Sequence, residues 1–511
     1  MKKSINRNSN VKFISIYIYI YILFCLFSDI YLVQKFADLN KIDYFTTNIF
    51  IILLFITIIQ IIGLLVIKIF KDKKHGIQYI YLAFSVVFGI IYLFAFPISQ
   101  IPDEKSDYAR TLEITEGHLI SEKIKTSVGR KLSTNIKKVY SLDGVKNKYT
   151  TIKKIKNIKL NNNKVFIDFA NKSLYAFVCY IPQVIGVGIG KILNLSIYYQ
   201  ILLGKICNYI LFVTLMFLAL KIIPVKKELV FLIAMLPICM QEAMSLSPDA
   251  MIIAVSVLFV SYILYLRINK KENINKKDLF YLSILAITLS LCKIVYLPLC
   301  LLLFLIPNER FVSKKSKYIF IGILAIICAG INLLWLSISS KYLVAFIGIS
   351  NSSLQLKYVL NNLLKYIVII FSTLDVFLFD YFISMVGGSL GLLNIKTSSI
   401  MTFCTILILV YLIGIPKKGK RKFNNKELAL IIFIIFSTIL LIFTSLYLQW
   451  TSVGNDKING VQGRYFIPLI LCIASLFIKD DKLSININKY FMMFTYFLNI
   501  MAITAVIICF I

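Results

Sequence analysis

Few residues in this 511-residue chain could do chemistry, and they fall in short polar segments set into apolar surroundings. The clearest is Ile101-Pro-Asp-Glu-Lys-Ser-Asp-Tyr108, where Asp103 and Glu104 form a carboxylate pair. Such a pair serves as a general base toward a hydroxyl, or as oxygen ligands for a divalent cation. Asp249 closes a second segment, Ser245-Leu-Ser-Pro-Asp249, and supplies a third carboxylate. Val461-Gln-Gly-Arg-Tyr-Phe466 brings Arg464, whose guanidinium forks onto phosphate oxygens, with Gln462 and Tyr465 beside it. Lys293, inside Leu291-Cys-Lys-Ile-Val-Tyr296, is a second cation. Taken singly, each has a plainer explanation: an acid after proline often caps a turn, and an arginine at a span end often snorkels. The chemistry depends on whether they meet.

Other site types are poorly supplied. His75 and His118 are the only histidines, which argues against a histidine-rich zinc site or a His-dependent triad. The ten cysteines are scattered singly through apolar blocks with no CxxC, as small buried hydrophobes are, so disulfides are not indicated. No Walker-type glycine loop and no GxGxxG after a strand is present, which disfavours direct use of a nucleotide-sugar.

The elements that must position these residues are membrane spans. The chain is 59% hydrophobic and only 16% charged, which excludes a soluble globular enzyme. Its formal charge of +32 would suit a nucleic-acid partner only if the basic residues shared a wet face. They lie instead between apolar blocks of about 20 residues, the length of one bilayer crossing. The blocks are 11–33, 48–70, 78–97, 174–193, 199–223, 229–246, 249–267, 279–307, 318–338, an interrupted 363–396, 397–415, 428–448, 464–478 and 489–511. The expected fold is therefore all-α and polytopic, with about 11 to 14 transmembrane helices.

Lysine and arginine crowd the short connectors 71–74, 226–227, 267–277, 310–317 and 417–426, which the positive-inside rule places in the cytoplasm, together with the N-terminus before the first block. The long connector 98–173 then falls outside. Reaching Lys226 from it takes an odd number of crossings, yet two blocks intervene; 174–193, with Pro182, Gly186, Gly188 and Gly190, is read as a juxtamembrane or re-entrant helix and 199–223 as the span. Lys293 would cost roughly 2.5–3.5 kcal/mol at the bilayer centre, so it should mark the outer tip of a helical hairpin. On this topology the three polar segments and Lys293 converge on the outer face.

The ordered series Pro102-Asp-Glu104 with Tyr108, Glu116-Gly-His118, Ser245 to Asp249, Lys293 to Pro298 and Gly460-Val-Gln-Gly-Arg-Tyr-Phe466 resembles a bacterial family of predicted polytopic membrane proteins known as a domain of unknown function. The resemblance spans residues 78–511 and leaves two additional N-terminal transmembrane helices in 1–77. That family looks like a branch of the GT-C superfamily, integral-membrane glycosyltransferases that use polyprenyl-phosphate-linked sugars and carry an acidic motif in a large first outer loop. The resemblance implies Asp103 as catalytic base, Glu104 as its catalytic-site neighbour or a metal ligand, Asp249 as an acidic residue that helps shape the catalytic or metal site, and Arg464 on the donor phosphate. Lys293, Gln462, Tyr465 and Tyr108 complete the substrate-binding candidates, and Asp103 with Asp249 would hold a Mg or Mn ion if one is used. The chain departs from the family pattern at Asp107, where histidine is common.

The expectation is an inverting glycosyltransferase of the bacterial plasma membrane, acting on a cell-envelope glycan or other acceptor at the outer face, with the lipid bilayer and no nucleic acid as its surroundings. The alternatives are a lipid-linked oligosaccharide flippase or transporter, for which Asp375, Asp380 and the interrupted block 363–396 speak, and an oligosaccharide polymerase.

Overall fold

A computed structural model describes residues 19–34, 45–70, 73, 76–142, 148–269, 272–342, 351–414, 420–479 and 489–510. The N-terminal cations Lys2, Lys3, Arg7 and Lys12 lie outside the described residues, as do Lys71, Asp72 and Lys74 of one basic connector and residues 417–419 of another.

The molecule is a helical bundle whose elements follow the apolar blocks. In chain order they are α1 Tyr19–Gln34, α2 Phe45–Phe70, α3 Gly76–Ala95, α4 Glu104–Thr115, α5 Ile181–Ile192, α6 Ile197–Ile222, α7 Lys227–Met235, α8 Pro237–Ala243, α9 Asp249–Ile268, α10 Lys276–Cys292, α11 Lys314–Ser339, α12 Leu363–Met385, α13 Ser399–Gly414, α14 Asn425–Gln449, α15 Ile467–Ser475 and α16 Lys489–Phe510. Among the described residues eight helices are long and apolar enough to cross a membrane, and five shorter apolar helices accompany them. α9 and α16 are central, with 83% and 89% of their apolar windows buried in protein, whereas α11 and α12, at 22% and 17%, present apolar side chains outward as a lipid boundary requires.

Several blocks counted as whole spans are broken, each for a local reason. Block 229–246 divides into α7 and α8 because Pro237 has no N–H to continue the helix. The Met235 carbonyl near the break accepts from Asn499 Nδ2 at 2.8 Å, and the half-helices are buried, which is how irregular backbone survives at membrane depth. Block 279–307 ends its first helix at Cys292, turns at an extended Lys293 and returns as a 3-10 helix over Ile294–Leu305, the hairpin expected from the cost of that lysine. α12 and α13 are separated by a small β-hairpin in which Ser389 pairs with Lys396.

Between α4 and α6 the glycines act as the sequence suggests. α5 has 12 residues, about 18 Å, too short to cross, whereas α6 has 26. A Cβ on Gly186 would stand 2.2 Å from the Leu203 carbonyl oxygen and one on Gly190 2.9 Å from Gln200, so these two, four apart, let α5 and α6 touch backbone to backbone.

The long connector folds into a small cap. Strands β1 Glu122–Ile124, β2 Ser127–Ser133 and β3 Lys164–Asp168 form an antiparallel sheet in which Gly129 faces Asp168, packed on α4 over a core that includes Tyr108, Leu112 and Leu132. Glu113 ties the two layers, ion-paired to Arg110 within α4 and, at 3.1 Å, to Arg130 of β2. The lysine- and asparagine-rich stretch 146–164 carries a helix, Lys148–Ile155, ahead of β3.

The basic connectors gather at one end of the bundle. Arg267 pairs with Glu427 at 3.1 Å, Lys226 donates to the carbonyls of Leu412 and Ile413 at 2.7 and 2.9 Å, and Lys317 donates to those of Phe304 and Ile306 at 3.0 and 2.5 Å. The 20-residue α9 carries the chain about 30 Å from there to Asp249, at the opposite end, where the cap sits.

Candidate active site

Asp103 is held in an unusual backbone. Ser99 and Asp103 both have positive φ, 68° and 63°, so the chain doubles back twice before α4. Non-glycine residues adopt this conformation at a cost that the surroundings must offset. Glu104 is the clamp: its Oε2 accepts from the Ser99 N–H at 2.8 Å and its Oε1 pairs with Lys205 at 2.6 Å, both carboxyl and ammonium being buried. The turn directs Asp103 away from α4, to which its side chain makes no capping bond. Its carboxylate instead meets Asn171 Nδ2 and Lys172 Nζ, each at 3.2 Å, and stays 41% exposed.

Lys172 is shared. Its ammonium is 3.2 Å from Asp103 and 3.2 Å from Asp107, and the hydroxyl of Tyr180 donates to Asp107 at 2.8 Å. Asp103 and Asp107 nevertheless titrate in opposite directions. The Lys172 ammonium pulls Asp103 below the ordinary carboxylate range despite burial, with Arg464 helping. Burial pushes Asp107 up to about 7, and Lys172 only partly offsets it. Burial works against the charged form of Lys172, but the two aspartates outweigh it and hold the ammonium well above its usual value.

Beneath this layer lies a second one, built from half-helix α8, the start of α9 and the turn that begins α15. Arg464 contacts Asp249 through Nε at 2.9 Å and donates from Nη1 to Glu242 at 2.5 Å, with all three side chains largely buried. The next residue, Tyr465, offers its ring to Lys293, whose ammonium stands 4.0 Å from the centroid and 5.8 Å from that of Tyr175. Tyr296, on the return limb of the hairpin, fixes the turn by donating to the Tyr465 carbonyl at 2.8 Å.

A cavity of about 270 Å³ opens above these groups. Asp103, Asn171, Lys172 and Lys293 supply its polar side, Leu336, Ile442 and Leu446 its apolar side, and Tyr175, Tyr465, Trp335 and Trp450 its aromatic walls. α11 and α14, which carry the apolar side, both pack on Ile294–Leu305 and not closely on each other. The arrangement suits a ligand with an anionic head and an apolar tail.

Of the residues singled out in the sequence, Asp103, Lys293 and Tyr465 line the cavity, and Asp249 and Arg464 lie directly below them. Glu104 does not share the cavity with its neighbour, because it is spent on Lys205 and the Ser99 turn. Tyr108 also points elsewhere: it is buried in the cap and donates to Gln200 at 3.1 Å. Gln462 stands behind the Arg464 turn, which its carbonyl caps by accepting from the Tyr465 N–H at 3.1 Å. Asp375 and Asp380 are exposed on α12 and line no interior path.

Lys172, Asn171, Tyr175 and Glu242 also belong to the site, although the sequence does not single them out. Glu242 carried a usable signal, an acid inside an apolar block. The tryptophans carried another, since Trp335 and Trp450 are the only two in the chain. Lys172 carried none, standing among many lysines of a long connector.

The residues do not fit the divalent cation that the resemblance implies. Asp103 and Asp249 are each taken up by a buried cation, Lys293 adds a further positive charge, and no group of three His, Cys, Asp or Glu among the described residues could serve as ligands. A hard dication seeks several oxygens with unspent negative charge.

Residues 86–473 match the model of a family described as predicted membrane protein (DUF2142). No curated protein and no solved structure matches the chain.

Proposed function

We propose a function for a chain that belongs to the DUF2142 family of predicted membrane proteins: it is an inverting glycosyltransferase of GT-C type that moves a sugar from a polyprenyl-phosphate-linked donor to a cell-envelope glycan or similar acceptor. The observation that supports this reading is the cavity in which Asp103 faces Lys172 and Lys293 across from an apolar wall. The basic end of the bundle is then cytoplasmic and the cavity opens at the outer face of the plasma membrane.

In the reaction the Asp103 carboxylate accepts the proton of the acceptor hydroxyl, whose oxygen bonds to the anomeric carbon as the bond from that carbon to the phosphate oxygen breaks. Inversion follows from attack opposite the leaving group. The electron pair departs on polyprenyl phosphate, and the Lys293 ammonium stabilises the growing charge in a site partly shielded from water. Arg464 acts from below. Already neutralised by Asp249 and Glu242, it holds Tyr465 and, through that ring, Lys293.

The test uses Asp103→Asn and Lys293→Met in the full chain, at normal expression, with analysis of the envelope glycan. Loss of the general base should slow transfer roughly 100-fold or more. An unaltered glycan in both variants would refute the assignment.

A further inference from the structure

Both tryptophans of the chain, brought by α11 and the end of α14, wall the same cavity. Trp335 is not placed as a membrane-interface anchor would be, with its N–H turned out to headgroups. Trp335 donates its indole N–H to the Leu174 carbonyl at 2.8 Å, within the segment that carries Lys172 and Tyr175, so its ring plane is set by the cavity wall. Trp450 is seated by Gly460, where a Cβ would stand 2.4 Å from the indole and where φ is +82°. Trp450 is 36% exposed as a residue and belongs to the cavity lining. The surrounding polar atoms of Asp103, Asn171, Ser339 and Gln449 belong to the same lining.

We infer that Trp335 and Trp450 form an aromatic wall that seats a hexopyranose ring of the acceptor glycan against Asp103. A pyranose has one face of C–H groups and an equator of hydroxyls; an indole covers the first and carboxylate, amide and hydroxyl groups meet the second. A polyprenyl chain needs no fixed indole planes and already has Leu336, Ile442 and Leu446. The inference rests on the transferase reading of the cavity and names the acceptor chemistry within it.

The chain in lipid nanodiscs can be applied to an array of bacterial-type oligosaccharides, with farnesyl phosphate as a separate probe. The wild type is expected to retain pyranose glycans. Trp335→Ala and Trp450→Ala, with unshifted thermal melting, should each weaken retention at least tenfold, while Asp380→Asn, exposed on α12 and outside the cavity lining, keeps it. Trp335→Phe and Trp450→Phe each leave a single tryptophan, and glycan should shift the emission of both. Failure of the wild type to retain any glycan, equal retention by the alanine variants, or an emission response to farnesyl phosphate alone overturns the aromatic wall. Tryptophan-dependent retention combined with an intact envelope glycan in Asp103→Asn would leave the sugar site standing and remove the transferase reading.

Discussion

The Nε of Arg464 lies 2.9 Å from Oδ2 of Asp249, which joins the Gly460 to Phe466 motif to the Ser245 to Asp249 motif beneath the cavity floor. With Glu242 on its Nη1, the guanidinium answers two buried carboxylates. Removing one partner of a buried ion pair leaves the other charge uncompensated, typically at about 3–5 kcal/mol. Arg464→Ala should therefore lower thermal stability in detergent sharply. Arg464→Met combined with Glu242→Gln and Asp249→Asn should recover much of the loss, because the whole charge set is then gone. If Arg464→Ala melts like the wild type, the residue is free for a ligand and the floor described here is wrong.

Asp107 gives the site a dependence on pH that Asp103 alone would not. Burial holds Asp107 near 7, against the opposing pull of Lys172 and Tyr180. As pH rises through that value Asp107 ionises and competes for the Lys172 ammonium, so Asp103 loses part of its counter-charge and becomes a stronger base. Transfer should rise through about pH 7 in the wild type, and Asp107→Asn should remove that limb. Stability has the opposite slope. A carboxyl raised in the folded state favours folding below its ordinary value and loses that contribution as pH climbs to its folded value. Melting of the wild type relative to Asp107→Asn should thus decline between about pH 4 and 7. Asp103, lowered in the fold, contributes in the reverse sense and loses its contribution only as pH falls through its depressed value.

Two glycines separate backbone strain from crowding. Gly117 has φ +86° with nothing within 4 Å of a built Cβ, whereas Gly460 has φ +82° and meets the Trp450 ring at 2.4 Å. Gly117→Ala should cost about 1–2 kcal/mol from the left-handed conformation alone. Gly460→Ala should cost more and displace Trp450, visible as a change in tryptophan emission that Gly117→Ala does not produce. Equal destabilisation with unchanged emission in both would contradict the seating of Trp450.

The sequence made the helical class and much of the site legible because bilayer physics writes both in one dimension. An apolar run of about 20 residues has few meanings, and Lys293 inside such a run implied the hairpin that the structure contains. Asp103 was readable as an acid beside a span. Its division of labour with Glu104 was not, since Lys205, which claims Glu104, lies in the apolar block 199–223, far along the chain from the acidic pair. Lys172 reaches Asp103 through the folding of the cap, a pairing that spacing along the chain does not encode. The break at Pro237 is not legible either, because the block it splits still reads in composition as one apolar run.

Lys293 is the cation best placed to hold a lipid phosphate. Its ammonium rests over the Tyr465 ring at 4.0 Å, and it forms no ion pair among the described residues, whereas Lys172 is engaged by two aspartates and Arg464 by Asp249 and Glu242. A hydrogen bond to a charged group contributes about 1.5–3 kcal/mol, or roughly 10- to 150-fold in affinity. Lys293→Met keeps the length and apolar stem of the side chain, so it should preserve melting while weakening farnesyl phosphate binding by that factor. Lys172→Met should behave differently: the probe binds within a few-fold of wild type, but Asp103 and Asp107 lose their common counter-ion and stability falls. Calorimetric titration of the two variants in nanodiscs distinguishes these roles, and an equal loss of affinity in both would assign the phosphate to the pair rather than to Lys293.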